Sequence, residues 1–158
     1  MQRTIRRRRR EAKTDYKARF AMLKSGRPRL VIRKTNKHII AQIVQSDIAQ
    51  DKVLLGVSSK DLISKGWPKD KSGSLKSLVA SYLTGYLIGK LAKAKFSDVI
   101  VDLGMQRNIH GSRVYAVIKG AVDAGLKLSH NPEAFPSQER LNSNEKTSNL
   151  INRIKEKM

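Results

Sequence analysis

The sequence predicts a mixed α/β fold, a compact mixed sheet with helices packed on it behind a basic arm and a short helix, and three patterns carry that expectation. In residues 27–44, RPRLVIRKTNKHIIAQIV, apolar residues fall at every second position, Leu30 and Ile32 and then Ile39, Ala41 and Ile43, the period of half-buried strands. In residues 75–95 the spacing changes: Leu75, Leu78, Val79, Tyr82, Leu83, Tyr86, Leu87 and Leu91 lie along one broad stripe of a long helix. That helix stands between two short strand-like runs, residues 52–58 and 99–101, so a crossover joins them and the sheet should hold a parallel pair joined right-handedly.

The chain begins with a cationic arm, residues 1–13. Its unbroken run of Arg6, Arg7, Arg8, Arg9 and Arg10 repels itself in free solution, and reads either as a solvated tail or as an arm that orders only against phosphates. Thr14 is the expected N-cap, with Asp15 in the first turn, of a short helix through Tyr16, Phe20 and Leu23 that stops near Gly26 and Pro28. Lys13, Lys17, Arg19 and Lys24 extend its basic surface toward the hairpin. There the alternation sends Arg29 and Arg33 to the face opposite Leu30 and Ile32, so one face builds core and the other carries charge. Thr35, Asn36 and Lys37 interrupt the pattern as a tight turn, Asn being at ease in the left-handed conformation.

Residues 61–74 form a polar loop around the single tryptophan. Trp67 beside Pro68 fits a plug packed on the body and also a base-stacking platform. Ser81, Gly85 and Gly89, four apart, make a small-residue ridge on the long helix that lets another backbone come close, at a propensity cost of about 1 kcal/mol per glycine. Residues 104–113, GMQRNIHGSR, are a glycine-bounded loop feeding a helix that Ser112 caps and that runs through Val114, Val117, Ile118 and Val122 to Gly125. Unpaired amides point outward at such a helix start, which suits a backbone phosphate. The spacing is not that of a nucleotide-binding P-loop, and no Lys-Ser or Lys-Thr pair closes it. Beyond Leu128 come His130, Pro132 and Pro136 and then a polar stretch, either a weak helix around Leu150, Ile151 and Ile154 or disordered chain. The expected organisation is an arm and short helix (1–26), a globular α/β domain (27–136) and a polar C-terminal tail (137–158).

A chain of 158 residues with 39% hydrophobic content can bury one core. Its net charge of +20 drives it to an anionic surface, nucleic acid first. Residues 1–37 hold fifteen Lys or Arg against Glu11 and Asp15, so thirteen of the twenty net charges sit there. The absence of cysteine excludes disulfides and thiolate metal sites. The N-terminus lacks a secretory apolar run, and Thr84, Gly85, Gly89 and Lys90 interrupt the longest apolar stretch, so a cytoplasmic protein with no membrane partner is expected.

Catalysis finds little support. Asp98 and Asp102 read as strand terminators and Asp123 as a helix counter-charge, with no further acid to complete a two-metal site. His38, His110 and His130 share no metal-ligand spacing, and no nucleophile and base pair up. No enzyme, cofactor, metal or small-molecule substrate is expected. As a binding module the chain shows no helix-turn-helix, zinc finger or heptad-bearing basic region. An arm, a sheet face and loops together suit a folded RNA, which offers phosphates at many angles. A general nucleic-acid-binding or RNA-chaperone protein is the alternative.

The same residues carry a family resemblance. RRRREAKTDY at 7–16, RLVIRKTNKHIIAQIV at 29–44, YLTG at 82–85, and the DLG, GSRVYAVIKGAVDAGL and FP motifs within 101–136 resemble the archaeal branch of ribosomal protein L eighteen, the large-subunit family that carries 5S ribosomal RNA. The resemblance spans residues 7 to about 140. It implies a compact α/β sandwich that holds 5S rRNA against the large-subunit rRNA in the central protuberance, beside neighbouring large-subunit proteins and without catalysis. Position by position, it implies an RNA-binding arm of Arg7, Arg8, Arg9, Arg10, Lys13, Thr14 and Tyr16, to which Arg6 and Lys17 add charge. It further implies hairpin contacts from Arg29, Arg33, Asn36, Lys37 and His38, and loop contacts from Arg107, His110, Ser112 and Arg113. Ala12 departs from the family pattern, where glycine is frequent, and bears on the local turn.

Overall fold

The computed structural model describes residues 4–48, 50–142 and 145–158. The first three residues of the expected arm, and residues 143 and 144 of the expected tail, lie outside them. Period-two alternation does build strands: β1 (Arg29–Lys34), β2 (Ile39–Asp47) and β3 (Gln50–Ser58) form an antiparallel meander, joined by the short β4 (Ile100–Asp102). The sheet order is β3-β2-β1-β4. Arg29 opposes Val44 on β2 and Ile100 on β4, the latter in a parallel pair. The expected parallel pair therefore exists, but between β4 and β1. The helix that follows β3 carries the chain past β2 and β1 to the far edge of the sheet, where β4 pairs with β1.

Leu30, Ile32, Ile39, Ala41 and Ile43 are fully buried on one sheet face. Two helices cover them, α3 (Leu78–Ala92) on β2 and β3, and α4 (Arg113–Asp123) on β1. The small-residue ridge lets these helices touch backbone to backbone. A Cβ on Gly85 would stand 2.0 Å from the Val117 carbonyl oxygen, and one on Gly120 would stand 2.1 Å from that of Tyr82. Close backbone packing is thus what the ridge provides. Because sheet, α4 and a C-terminal helix all press on α3, its buried set is wider than the apolar stripe: Ala80, Ser81, Thr84 and Ile88 are inside while Leu91 is 48% exposed. The Ser81 and Thr84 hydroxyls donate to the Ser77 and Ala80 carbonyls one turn back, which satisfies them in the core.

The described part of residues 137–158 takes the helical alternative. α5 (Gln138–Leu141) and α6 (Glu145–Glu156) bring Leu141, Ile151 and Ile154 into a second apolar cluster with Leu62, Leu75, Leu83, Ala116 and Trp67. Trp67 is the plug of that cluster, 4% exposed, its Nε1 donating to the Lys71 carbonyl at 3.1 Å. The aromatic face is consumed by packing and is not a platform for bases.

Two local expectations change at the N-terminus. Within the arm, Arg7–Arg10 form one helical turn, α1, closed where Lys13 N donates to the Arg8 carbonyl and Ala12 turns to φ +50°. Glu11 offsets the repulsion there, 3.8 Å from Arg7 and 2.9 Å from Lys13. The following helix, α2 (Tyr16–Lys24), is capped by Asp15 rather than Thr14. The Asp15 carboxylate accepts from both Lys17 N and Ala18 N, whereas the Thr14 hydroxyl is taken by Arg8 Nε at 2.8 Å.

Candidate nucleic-acid interface

Parallel pairing sets the carboxyl ends of β1 and β4 side by side, and the chain leaves that edge in the loops that carry the cations. Arg33, near the end of β1, is pinned there: it donates to the Ile32 carbonyl at 2.8 Å, to the Asp102 carbonyl at 3.1 Å and to Asp102 Oδ1 at 3.3 Å. Its side chain is still 42% exposed, so a guanidinium of fixed orientation faces outward. Gly104 makes this possible. It sits at φ +61° and a Cβ there would stand 3.1 Å from the guanidinium carbon.

Two grooves meet at this edge. One, of about 540 Å³, lies between α2 and the end of β4, where Arg8, Lys13, Arg19 and Arg33 outnumber the carboxylates of Asp15 and Asp102 and Thr14 also lines the wall. The other, of about 720 Å³, lies at the start of α4 and is lined by Lys34, Arg107, His110, Ser112, Arg113 and Arg140. Gln106 lines both, held by its Nε2 donating to the Ile32 carbonyl at 2.7 Å. Arm, hairpin and loop therefore converge on one cationic strip. Ser112 has the extended backbone of an N-cap, yet its hydroxyl makes no cap bond; the oxygen is buried with no partner among the described residues. The expected side-chain cap on α4 is thus absent. His110 is exposed and stands edge-on to Tyr115, whose hydroxyl donates to Asn108.

The remaining expected contacts scatter around the strip. Arg6 lies 4.8 Å over the Tyr16 ring, while Arg7, Arg9, Arg10 and Lys17 are exposed. Asn36 and Lys37 are exposed at the hairpin tip, where Thr35 bonds His38 through both backbone and hydroxyl.

Arg29 is a correction. Strand alternation alone sends it to the charged face, but that face is covered at this point and the residue is 2% exposed. Its guanidinium forks to Asp102 Oδ2 at 2.8 Å and to Ser46 and Asp51 at 2.9 and 2.8 Å. Burial pushes the Asp51 carboxyl up, but hydrogen bonds from Ser46, Arg19 and Arg29 outweigh it and bring the pKa down to about 2. An arginine so deeply buried is closed to RNA, and Asp102, which does end β4, is also the inner anchor of two arginines. Asp98 pairs instead with Arg27 at 2.6 Å, and Asp123 accepts from the Tyr82 hydroxyl at 2.7 Å. The three aspartates do not converge. Among the described residues no group of three His, Cys, Asp or Glu could hold a metal ion.

Sequence reasoning left Lys34, Gln106 and Arg140 out of the strip. Lys34 follows Arg33 and could have been found from the end of the strand. Arg140 could not: it reaches the strip by donating to the Gly111 carbonyl at 3.3 Å across twenty-nine residues.

A family model described as "Ribosomal large subunit proteins 60S L5, and 50S L18" matches residues 2–98 and 92–131. Several relatives bear the name large ribosomal subunit protein uL18. The one from Methanothermobacter thermautotrophicus is 44% identical over 136 residues, 85% of this chain and 69% of that protein. The one from Korarchaeum cryptofilum is 45% identical over 136 residues, covering 85% and 68%. The one from Methanothrix thermoacetophila is 43% identical over 136 residues, covering 85% and 78%.

Proposed function

The chain belongs to the family of ribosomal large-subunit proteins 60S L5 and 50S L18, and on that premise we propose that it binds 5S rRNA and attaches it to the large-subunit rRNA in the central protuberance. It is a structural constituent of the large subunit of the cytoplasmic ribosome and not an enzyme. One observation carries the RNA reading: the arm, the end of β1 and the loop before α4 meet as a continuous cationic strip around the fixed guanidinium of Arg33. RNA phosphates are met by Arg6, Arg7, Arg8, Arg9, Arg10, Lys13 and Lys17 from the arm and α2, by Arg33, Lys37 and His38 from the hairpin, and by Arg107, His110 and Arg113 from the loop. Thr14 and Tyr16 set the arm's shape, and Asn36 reaches outward from the hairpin tip.

Residues 1–26 supply most of the affinity, and the body from 27 onward supplies the register. Binding of an archaeal 5S rRNA transcript across a salt series tests this. If about six to ten phosphates are neutralised, affinity should fall about 10³- to 10⁵-fold between about 50 and 200 mM salt, somewhat less for a folded RNA than for duplex. A flat titration would overturn the electrostatic account, and equal affinity for any duplex RNA would favour a general RNA-binding role.

A further inference from the structure

We propose that the outer face of α2, carrying Tyr16, Phe20 and Leu23, is a stacking site for one unpaired RNA base. The proposal rests on the RNA reading above and specifies which part of the RNA this face takes. α2 buries none of its residues. Phe20 is 70% exposed and Leu23 36%, and Ile5 of the arm, across from them, is 65% exposed. These side chains line a groove of about 910 Å³ whose other walls are Arg6, Arg9, Lys17 and Arg19.

The helix is held so that this face stays outward. Its opposite side, with Ala18 and Met22, faces the β4 edge, and Arg19 is tied to Asp51 on β3 at 2.9 Å. Tyr16 and Phe20 are one turn apart and share a side. Arg6 already occupies a face of Tyr16 at 4.8 Å, so Phe20 presents the open ring.

Charge selects the occupant. Four cations and no carboxylate line the groove, and only Arg19 has its carboxylate partner elsewhere, so an apolar protein surface would cover Phe20 and leave Arg6, Arg9 and Lys17 desolvated without a counter-charge. A nucleotide brings a π-face and a phosphate at a fixed covalent spacing, and matches both. In duplex RNA the base faces are already stacked, so the nucleotide must come from a loop, bulge or junction.

The test uses the full chain with an archaeal 5S rRNA transcript and, in parallel, a blunt duplex RNA. Phe20→Ala should weaken 5S binding about 5- to 150-fold, the loss a missing base–aromatic stack gives. It should leave the salt slope and duplex affinity unchanged, and Phe20→Tyr should restore 5S binding to within about twofold. Lys17→Ala should instead lower the salt slope by about one contact. If Phe20→Ala weakened duplex and 5S binding alike, or changed neither while wild type bound 5S rRNA tightly, the stacking site would be refuted. The latter result would point to a protein as the cover of this face. Failure of the wild-type chain to bind 5S rRNA at all would overturn the RNA reading, and this proposal with it.

Discussion

Arg29 Nη1 donates to Asp102 Oδ2 at 2.8 Å with the two side chains 2% and 6% exposed, a buried ion pair between β1 and β4. Through Nη2 the same guanidinium reaches Ser46 on β2 and Asp51 on β3, so one side chain ties all four strands together. Removing one partner of a buried pair leaves the other charge uncompensated. Arg29→Ala should therefore cost about 3–5 kcal/mol in urea unfolding, while the folded fraction keeps its RNA affinity. Arg29→Lys should rescue little of it, since an ammonium cannot reproduce the planar fork.

The same network makes stability acid-sensitive. Asp51 has a folded pKa of about 2, below the value of about 3.9 for a free aspartate. Its stabilising contribution is whole above about pH 4 and disappears as pH falls through 2, because the unfolded chain takes up the proton first. Urea midpoints followed between about pH 5 and 2 should fall, and Asp51→Asn should be less stable at neutral pH with a shallower fall over that window.

Contact of α3 with α4 leaves no room for a methyl group. Gly85→Ala and Gly120→Ala each set a Cβ about 2 Å from a carbonyl oxygen of the other helix. Each should cost at least about 3 kcal/mol or prevent folding, since backbone cannot step aside as a side chain can. Gly73→Ala, with nothing within 4 Å of the new carbon, should stay within about 0.5 kcal/mol of wild type in the same thermal melts.

The C-terminal helix should behave as part of the fold. Ile154 is fully buried against Leu62, Trp67 and Leu83, so Ile154→Ala should lose about 2–5 kcal/mol. A chain that melted unchanged after this substitution would show that α6 is not docked in solution.

Deletion of residues 1–12 should do the opposite. Of the described arm residues, Ile5 is 65% exposed and the arginines lie on the surface, so little apolar area is lost. The melting temperature should move by no more than a few degrees, within the about ±0.5 kcal/mol typical of surface changes, while 5S rRNA affinity falls steeply.

Local chemistry is what the sequence by itself determined. Period-two runs became β1 and β2, the stripe and its glycines became α3 against α4, and the arginine-rich start stayed on the surface, because each depends on neighbours within a few residues. Tertiary structure decided matters that depend on what arrives from elsewhere in the chain. Alternation could say that Arg29 faces away from Leu30; only the arrival of Asp51 and Asp102 could say that this face is closed at that point. Trp67 beside Pro68 fitted a plug or a platform until Leu141, Ile151 and Ile154, more than seventy residues on, covered it. β4 is too short to declare its neighbour, and the crossover of α3 over two strands made that neighbour β1 rather than β3. Burial is a property of all the segments that meet at a point, and a periodic pattern records only the side on which the first of them will pack.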